Sequence, residues 1–366
     1  MRVWKTGGAV LLAGAMLGAC AAGRTAPAMA EDTAPVARPL TIGAPKAGRT
    51  RPLVAIVADN AGTETTDFIV PYAMLKTSGA ADVVAVSADE GEVELMPALR
   101  MLADTTFERF DAATPVGADV VIVPALHRAD SPAVLAWLRK QAGAGATMVA
   151  ICDGAEVLAN AGLLRHRTAT SHWYSRDGLR RRFADTTWID DRRYVMDGDV
   201  MTTTGVSASM PASLALVSAL AGPAAARETA RRVGAQAWSD VHDGSRFALT
   251  ARAVAVALTN RVAFWRHETF DLPVENGFDE LPVALTADAW ARTWRSDVVA
   301  TADARVIVST HGLRLLAQPA NVRHARVTMP AGRRGDAVLP GVLDDIAARY
   351  GDATSGWVAL QLEYPK

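Results

Sequence analysis

Cysteine is almost absent: the 366 residues hold two, Cys20 and Cys152. Two cysteines build no disulfide framework, and no Cys/His spacing of a zinc site is present. The seven histidines are scattered, and no H-E-x-x-H motif occurs. Neither sign of charge is in excess, with 38 Lys and Arg against 39 Asp and Glu. That balance supplies no basic stripe for nucleic acid and no acidic solvating tail. The first apolar stretch, Gly8 to Ala19, is too short to span a bilayer as a stable helix. No cofactor, metal or nucleic-acid partner is expected from any of this. Half of the chain is hydrophobic, enough for a large core in one or two domains.

What is present begins with a targeting segment over residues 1–30. Arg2 and Lys5 form a positive start, and Gly8 to Ala19 is its apolar region. Leu17-Gly18-Ala19-Cys20 fits a lipobox, which would lipidate Cys20 and anchor the chain to a membrane. Cleavage after Ala28-Met29-Ala30 is the alternative, and either route places the protein in the bacterial cell envelope, on the periplasmic side. Residues 31–52, rich in Ala, Pro, Thr and Gly, read as a disordered tether. With Cys20 lipidated or removed, Cys152 has no partner. An unpaired cysteine in an exported protein points to a specific use.

The surroundings of Cys152 point the same way. Thr147 to Ile151 reads as a short buried strand, Cys152-Asp153-Gly154 as a sharp turn and Ala155 to Ala161 as a helix. Strand, turn with a nucleophile, helix is the arrangement of a nucleophile elbow. The helix N-terminus behind the sulfur favours the thiolate, so Cys152 is expected to titrate below a free cysteine. Upstream, strands at Leu53–Ala58, Asp82–Ser87, Leu99–Ala103 and Asp119–Val123 alternate with helical patterns at Asp67–Ser78 and from Ser131 to Gln141. This order predicts an α/β fold with a parallel sheet covered on both faces. Ligand sites in such sheets lie beyond the carboxyl ends of the strands. The loops after Ala58, Val123 and Ile151 should therefore converge. They bring Asp67 as a carboxyl partner for the sulfur. The backbone N–H groups of Asp153 and of Ala125 or Leu126 would hold an oxyanion, and His172 would move a proton.

Together these residues resemble the ThiJ/PfpI superfamily, above all the amidotransferase-like domains of AraC-type regulators. The resembling pieces are Thr66-Asp67-Phe68, Pro71-Tyr72, Ile151-Cys152-Asp153-Gly154-Ala155, Arg167 to Trp173 and Thr203-Thr204-Gly205-Val206. The resemblance implies a flavodoxin-like, class I glutamine amidotransferase-like sandwich over residues 53–238, with Cys152, Asp67 and His172 as its site. Departures are Ala125-Leu126 in place of a frequent Gly-Gly pair, and Asp67 where several relatives have Glu. A third triad member is not evident, Asp185, Asp190 and Asp191 being the candidates. No helix-turn-helix region of the kind the AraC-type proteins carry is expected within these residues.

Residues 239–366 read as a degenerate α/β half-copy of the first domain. Asp297 to Ala300 echoes Asp82 to Ala85, Leu313 to Ala317 echoes Leu99 to Ala103, and Trp357 to Leu360 echoes the strand Met148 to Ile151. Pro282 stands at the Asp67 position and Gln361 at that of the cysteine. Ser239 to Arg246 reads as a linker and Phe247 to Trp265 as one long helix. The half-copy is expected to dock on the first domain as an internal pseudo-dimer, burying Trp265, Trp290, Trp294 and Trp357. The functional expectation is a small-molecule hydrolase, hydratase or glyoxalase-type enzyme, or alternatively a non-catalytic ligand-binding or redox-sensing envelope protein.

Overall fold

A computed structural model describes residue 40 and residues 42–46, 48–235 and 238–365. The expected signal segment, Cys20 and residues 31–39 of the expected tether lie outside the described residues.

The first half runs β1 (Leu53–Ala58), β2 (Thr63–Glu64), α1 (Thr65–Ser78), β3 (Asp82–Ser87), β4 (Glu92–Met96), β5 (Leu99–Leu102), β6 (Thr105–Thr106), α2 (Phe107–Ala113), β7 (Val120–Val123), α3 (Pro132–Gly143), β8 (Thr147–Ala150) and α4 (Gly154–Asn160). It continues through β9 (Thr168–Ala169), α5 (Trp173–Arg182), β10 (Thr187–Trp188), β11 (Tyr194–Asp197), β12 (Val200–Thr203) and α6 (Ser209–Val233). The second half holds α7 (Ala251–Val262), β13 (Glu268–Pro273), α8 (Glu280–Ala291), β14 (Ser296–Thr301), β15 (Val306–Val308), β16 (Arg314–Leu316), β17 (Ala325–Arg326), α9 (Val338–Tyr350) and α10 (Asp352–Gln361).

The central sheet has seven strands in the order β11-β12-β8-β7-β1-β3-β6, and only β11 runs antiparallel to its neighbour. Uniformly apolar strands suit its middle because both faces are covered by helices. All of β7 and β8 is buried accordingly. The expected strand at Leu99 exists but lies outside this sheet: β5 pairs antiparallel with β4. By length and composition the span Val206–Val233 would cross a bilayer, yet half of it is buried in the fold, and α6 packs along α1. Gly222, at φ 86°, breaks that helix before Pro223.

The end of the expected tether is held. The Lys46 N–H donates to Asp119 Oδ1 at 2.8 Å, and Arg49 Nη1 donates to Asp119 Oδ2 at 2.7 Å. The Leu53 N–H shares that oxygen, so one carboxylate pins the entering chain to the start of the sheet.

The second half repeats the opening of the first and then departs from it. Strand β13 pairs parallel with β14 and β17, as β1 does with β3 and β7. Helix α8 follows β13 as α1 follows β1, and β15 and β16 form a hairpin like β4 and β5. The two hairpins meet edge to edge: β16 pairs antiparallel with β5, Leu315 opposite Met101, in one five-stranded sheet ordered β15-β16-β5-β4-β2. Helix α8 packs against α1.

The expected last strand, Trp357 to Leu360, is instead helical, within α10. Short apolar runs do not separate strand from helix. Here Thr354, Val358 and Leu362 are buried at four-residue steps, the spacing of a helix face. The expected helix Phe247–Trp265 is shorter. Thr250 caps α7 by accepting the Ala253 N–H, and Phe264–Arg266 is a separate 3-10 turn. Of the four tryptophans, Trp290 and Trp357 are buried, Trp294 is half-buried and Trp265 is 67% exposed.

Candidate active site

Cys152 stands two residues past β8 at φ 56°, a left-handed conformation that costs a side-chain-bearing residue roughly 1–2 kcal/mol. Three contacts hold it there. Its N–H donates to Thr203 Oγ1 at the end of β12 at 2.9 Å. Its carbonyl accepts the Ala155 N–H in the first turn of α4. The next residue, Asp153, accepts from Ser171 Oγ at 2.9 Å and Ser175 Oγ at 2.7 Å. Gly154 permits the turn by close approach: a Cβ there would lie 1.9 Å from the Val123 carbonyl oxygen at the end of β7.

Asp67 does not open α1, as the sequence pattern suggested, but sits in its first turn behind the N-cap Glu64. The Glu64 carboxylate accepts the Asp67 N–H at 2.5 Å and the Thr66 hydroxyl. Asp67 is wholly buried. Its Oδ2 accepts the Ala125 N–H at 3.2 Å, and its Oδ1 has no hydrogen-bond partner. Behind this pair stands a cation from the second half. Arg292, just past α8, donates from Nη2 to Glu64 Oε1 at 2.5 Å and from Nε to Asp288 at 2.8 and 2.9 Å.

Burial pushes the Asp67 carboxyl well above the usual range, with help from the Glu64 charge, while the Ala125 N–H and Arg292 oppose it. Burial likewise raises the Cys152 thiol, and Asp67, Asp153 and Glu64 add to the rise. The Asp153 N–H, directed at the sulfur, is the opposing interaction. The helix N-terminus is therefore outweighed, and the expected depression of the thiol is reversed. Burial lowers Arg292, but Asp288 and Glu64 more than compensate and lift it above an ordinary arginine.

His172 is engaged elsewhere. It caps α5, its Nδ1 accepting the Tyr174 N–H at 3.3 Å, and its Nε2 lies 3.0 Å from the Gln361 carbonyl oxygen. Those partners assign the proton to Nε2 and use the lone pair on Nδ1. The Ala125 N–H, expected to face an oxyanion, is spent on Asp67, while the bridge between Leu126 and Thr63 is made by their neighbours, Glu64 N–H to the Ala125 carbonyl and His127 N–H to the Gly62 carbonyl. Of the triad candidates, Asp185 pairs with Arg165, Asp190 with Arg180, and Asp191 accepts the His242 N–H through its carbonyl.

The segment after α10 closes over this region. Glu363, fully buried and at φ 53°, accepts the Gly205 N–H at 2.7 Å and the Trp173 N–H at 3.3 Å, and pairs with His242 Nε2 at 2.8 Å. Trp173 Nε1 donates to the Leu360 carbonyl at 2.8 Å. The stretch read as a linker, 239–246, thus contributes a buried histidine. Burial alone would raise the Glu363 carboxyl, but the His242 hydrogen bond and the Gly205 N–H, with His172 nearby, bring it below its ordinary value. Five surface cavities of about 330 to 780 Å³ are lined by residues other than Cys152, Asp67 and His172.

Residues 53–219 match the model of the DJ-1/PfpI family. An isonitrile hydratase of Pseudomonas putida is 31% identical over 160 residues, which cover 43% of this chain and 67% of that enzyme. The HTH-type transcriptional regulator CdhR of Pseudomonas aeruginosa is 36% identical over 96 residues, 26% of this chain and only 28% of the regulator. Among solved structures, an AraC family transcriptional regulator from Pseudomonas putida aligns with TM-score 0.44 and 21% identity, over 50% of this chain and 98% of that one.

Proposed function

The chain belongs to the DJ-1/PfpI family, and we propose on that premise that Cys152 is the nucleophile of a site for small electrophilic molecules in an exported, lipid-anchored or secreted protein. The observation that carries the reading is the pairing of a cysteine held at a left-handed turn with a buried carboxyl whose Oδ1 has no partner. Burial makes Asp67 easier to protonate than an ordinary carboxyl, and its unpartnered Oδ1 is free to take a proton and pass it on. It takes over the proton-moving role first assigned to His172, which becomes a positioning residue. For an isonitrile, Sγ bonds to the terminal carbon and the thiol proton, passed through Asp67, ends on that carbon. Water then displaces the sulfur, leaving a formamide and the restored thiol. Arg292 fixes Glu64, and through it the start of α1 that carries Asp67. In this reading the second half occupies the place of a partner subunit.

Cys152 is 7% exposed, and this favours a second reading, a ligand-binding or redox-sensing thiol that does not turn over. Assays on an alkyl isonitrile and an α-oxoaldehyde separate the two. The expected result is turnover abolished by Cys152→Ser and cut about a hundredfold or more by Asp67→Asn. Iodoacetamide should alkylate the wild-type thiol with a midpoint above the ~8.5 of free cysteine. Absence of turnover together with reversible peroxide oxidation of Cys152 would establish the sensor instead. A midpoint at or below that of free cysteine would contradict the burial argument.

A further inference from the structure

Helix α7 is amphipathic in the wrong sense for a core helix. Its buried contacts are few: Ala257 and Asn260 face inward, and Asn260 Nδ2 donates to the Thr293 carbonyl at 3.0 Å and to Thr354 Oγ1 at 3.3 Å. On the opposite side Ala255, Leu258 and Val262 form an exposed stripe at helical spacing. The stripe runs on into the 3-10 turn, where Phe264 is 73% and Trp265 67% exposed. Isolated exposed apolar residues are ordinary, but a stripe ending in two adjacent aromatics marks an interaction surface.

Charge defines the occupant. No Asp or Glu occurs between Asp243 and Glu268, whereas Arg246, Arg252, Arg261 and Arg266 do. By helix geometry Arg252 and Arg261 lie on either flank of the stripe, where long side chains lay their stems on apolar surface and their cations at its rim. Arg261 also stacks over Trp294. Next to Trp265 a cleft of about 430 Å³ is lined by Arg266, Arg295, Arg349 and Tyr350, with Glu268 its one acid. Glu268 is already paired with Arg349 and the Tyr350 hydroxyl. On the other flank, Asp352 faces Arg246 and Arg252 across the groove between α7 and α10. An apolar face with Trp and Phe, edged by arginine and nearly free of acid, has the composition of an in-plane interfacial helix.

We propose that α7 and the turn after it are a membrane-docking surface selective for anionic lipid, with Leu258, Val262, Phe264 and Trp265 entering the headgroup boundary. This surface is independent of Cys152 and of any lipid at Cys20. The test is sedimentation of the full chain carrying Cys20→Ser with vesicles of phosphatidylglycerol and phosphatidylcholine, against phosphatidylcholine alone. The background should bind the anionic vesicles at least about tenfold more tightly, and less so as salt rises. Leu258→Glu with Val262→Glu, and separately Arg252→Glu with Arg261→Glu, should each lose about tenfold or more while keeping the same melting curve. Equal binding to neutral and anionic vesicles overturns the proposal, as do variants that bind as well as their background. Variants that change the oligomeric state and leave vesicle binding intact would also overturn it, making a second copy the occupant.

Discussion

Gly154 is where the turn at Cys152 has least room. A methyl group there meets the backbone oxygen of Val123, which cannot move without disturbing β7 in the middle of the sheet. Gly154→Ala should cost about 3 kcal/mol, at the upper end of ordinary overpacking, and should change the alkylation rate of Cys152 by displacing the turn. A melting curve within a degree or two of wild type would show that β7 and α4 separate more easily than this geometry allows. Cys152 and Asp67 were legible in the sequence because each belongs to a local pattern, strand–turn–helix in one case and a helix start in the other. Arg292 was not, since 228 residues separate it from Glu64 and nothing nearby in sequence marks an arginine at a helix end as half of a buried pair. Nor did local pattern convey that the helix N-terminus behind Cys152 would be outweighed, because the three carboxyls that raise the thiol meet only in the folded chain.

Among the elements, the segment beyond α10 has the most to say about pH. Glu363 titrates below its ordinary value in the fold. Its stabilising contribution is therefore complete above the unfolded glutamate value of ~4.3 and disappears as pH falls through the lower folded value. Protease cleavage around residues 361–365 should accelerate as pH drops from 5 toward 3. Glu363→Gln should bring that susceptibility to neutral pH, at a cost of about 1–3 kcal/mol for the bonds it leaves poorly made. A variant with wild-type cleavage at both pH values would show that α10 alone holds the segment. The central strands and the helices around them were readable from hydrophobic period. α10 was not: its four apolar residues satisfy a buried strand and a helix equally well, and the choice falls to the tertiary face they pack against. The pairing of Glu363 with His242 was hidden for a similar reason, one partner lying in a polar stretch that looked like a linker.

At the scale of the whole molecule, the two halves share a sheet through β5 and β16 and a helix pair through α1 and α8. This seam uses the exposed edge of the β4–β5 hairpin, which would otherwise be open to pairing with another chain. With that edge filled from within, the protein is expected to run as a monomer in sedimentation equilibrium over a wide concentration range. A stable dimer that persists on dilution would require a different face. The shared order of elements in the two halves is accompanied by short sequence echoes such as Asp297 to Ala300 with Asp82 to Ala85. The antiparallel seam was not legible in the sequence, because strand pairing across more than two hundred residues leaves no local trace.

Joining the halves also changes how they can evolve. In a symmetric pair every substitution is inherited twice, so a residue useful at one site must be tolerated at its twin. Here the register that sets Pro282 against Asp67 sets Arg292 against Thr77, and Thr77 instead lies 3.5 Å from His311. One half carries Cys152 and the other Arg292, an asymmetry open only to a chain that encodes both sides separately.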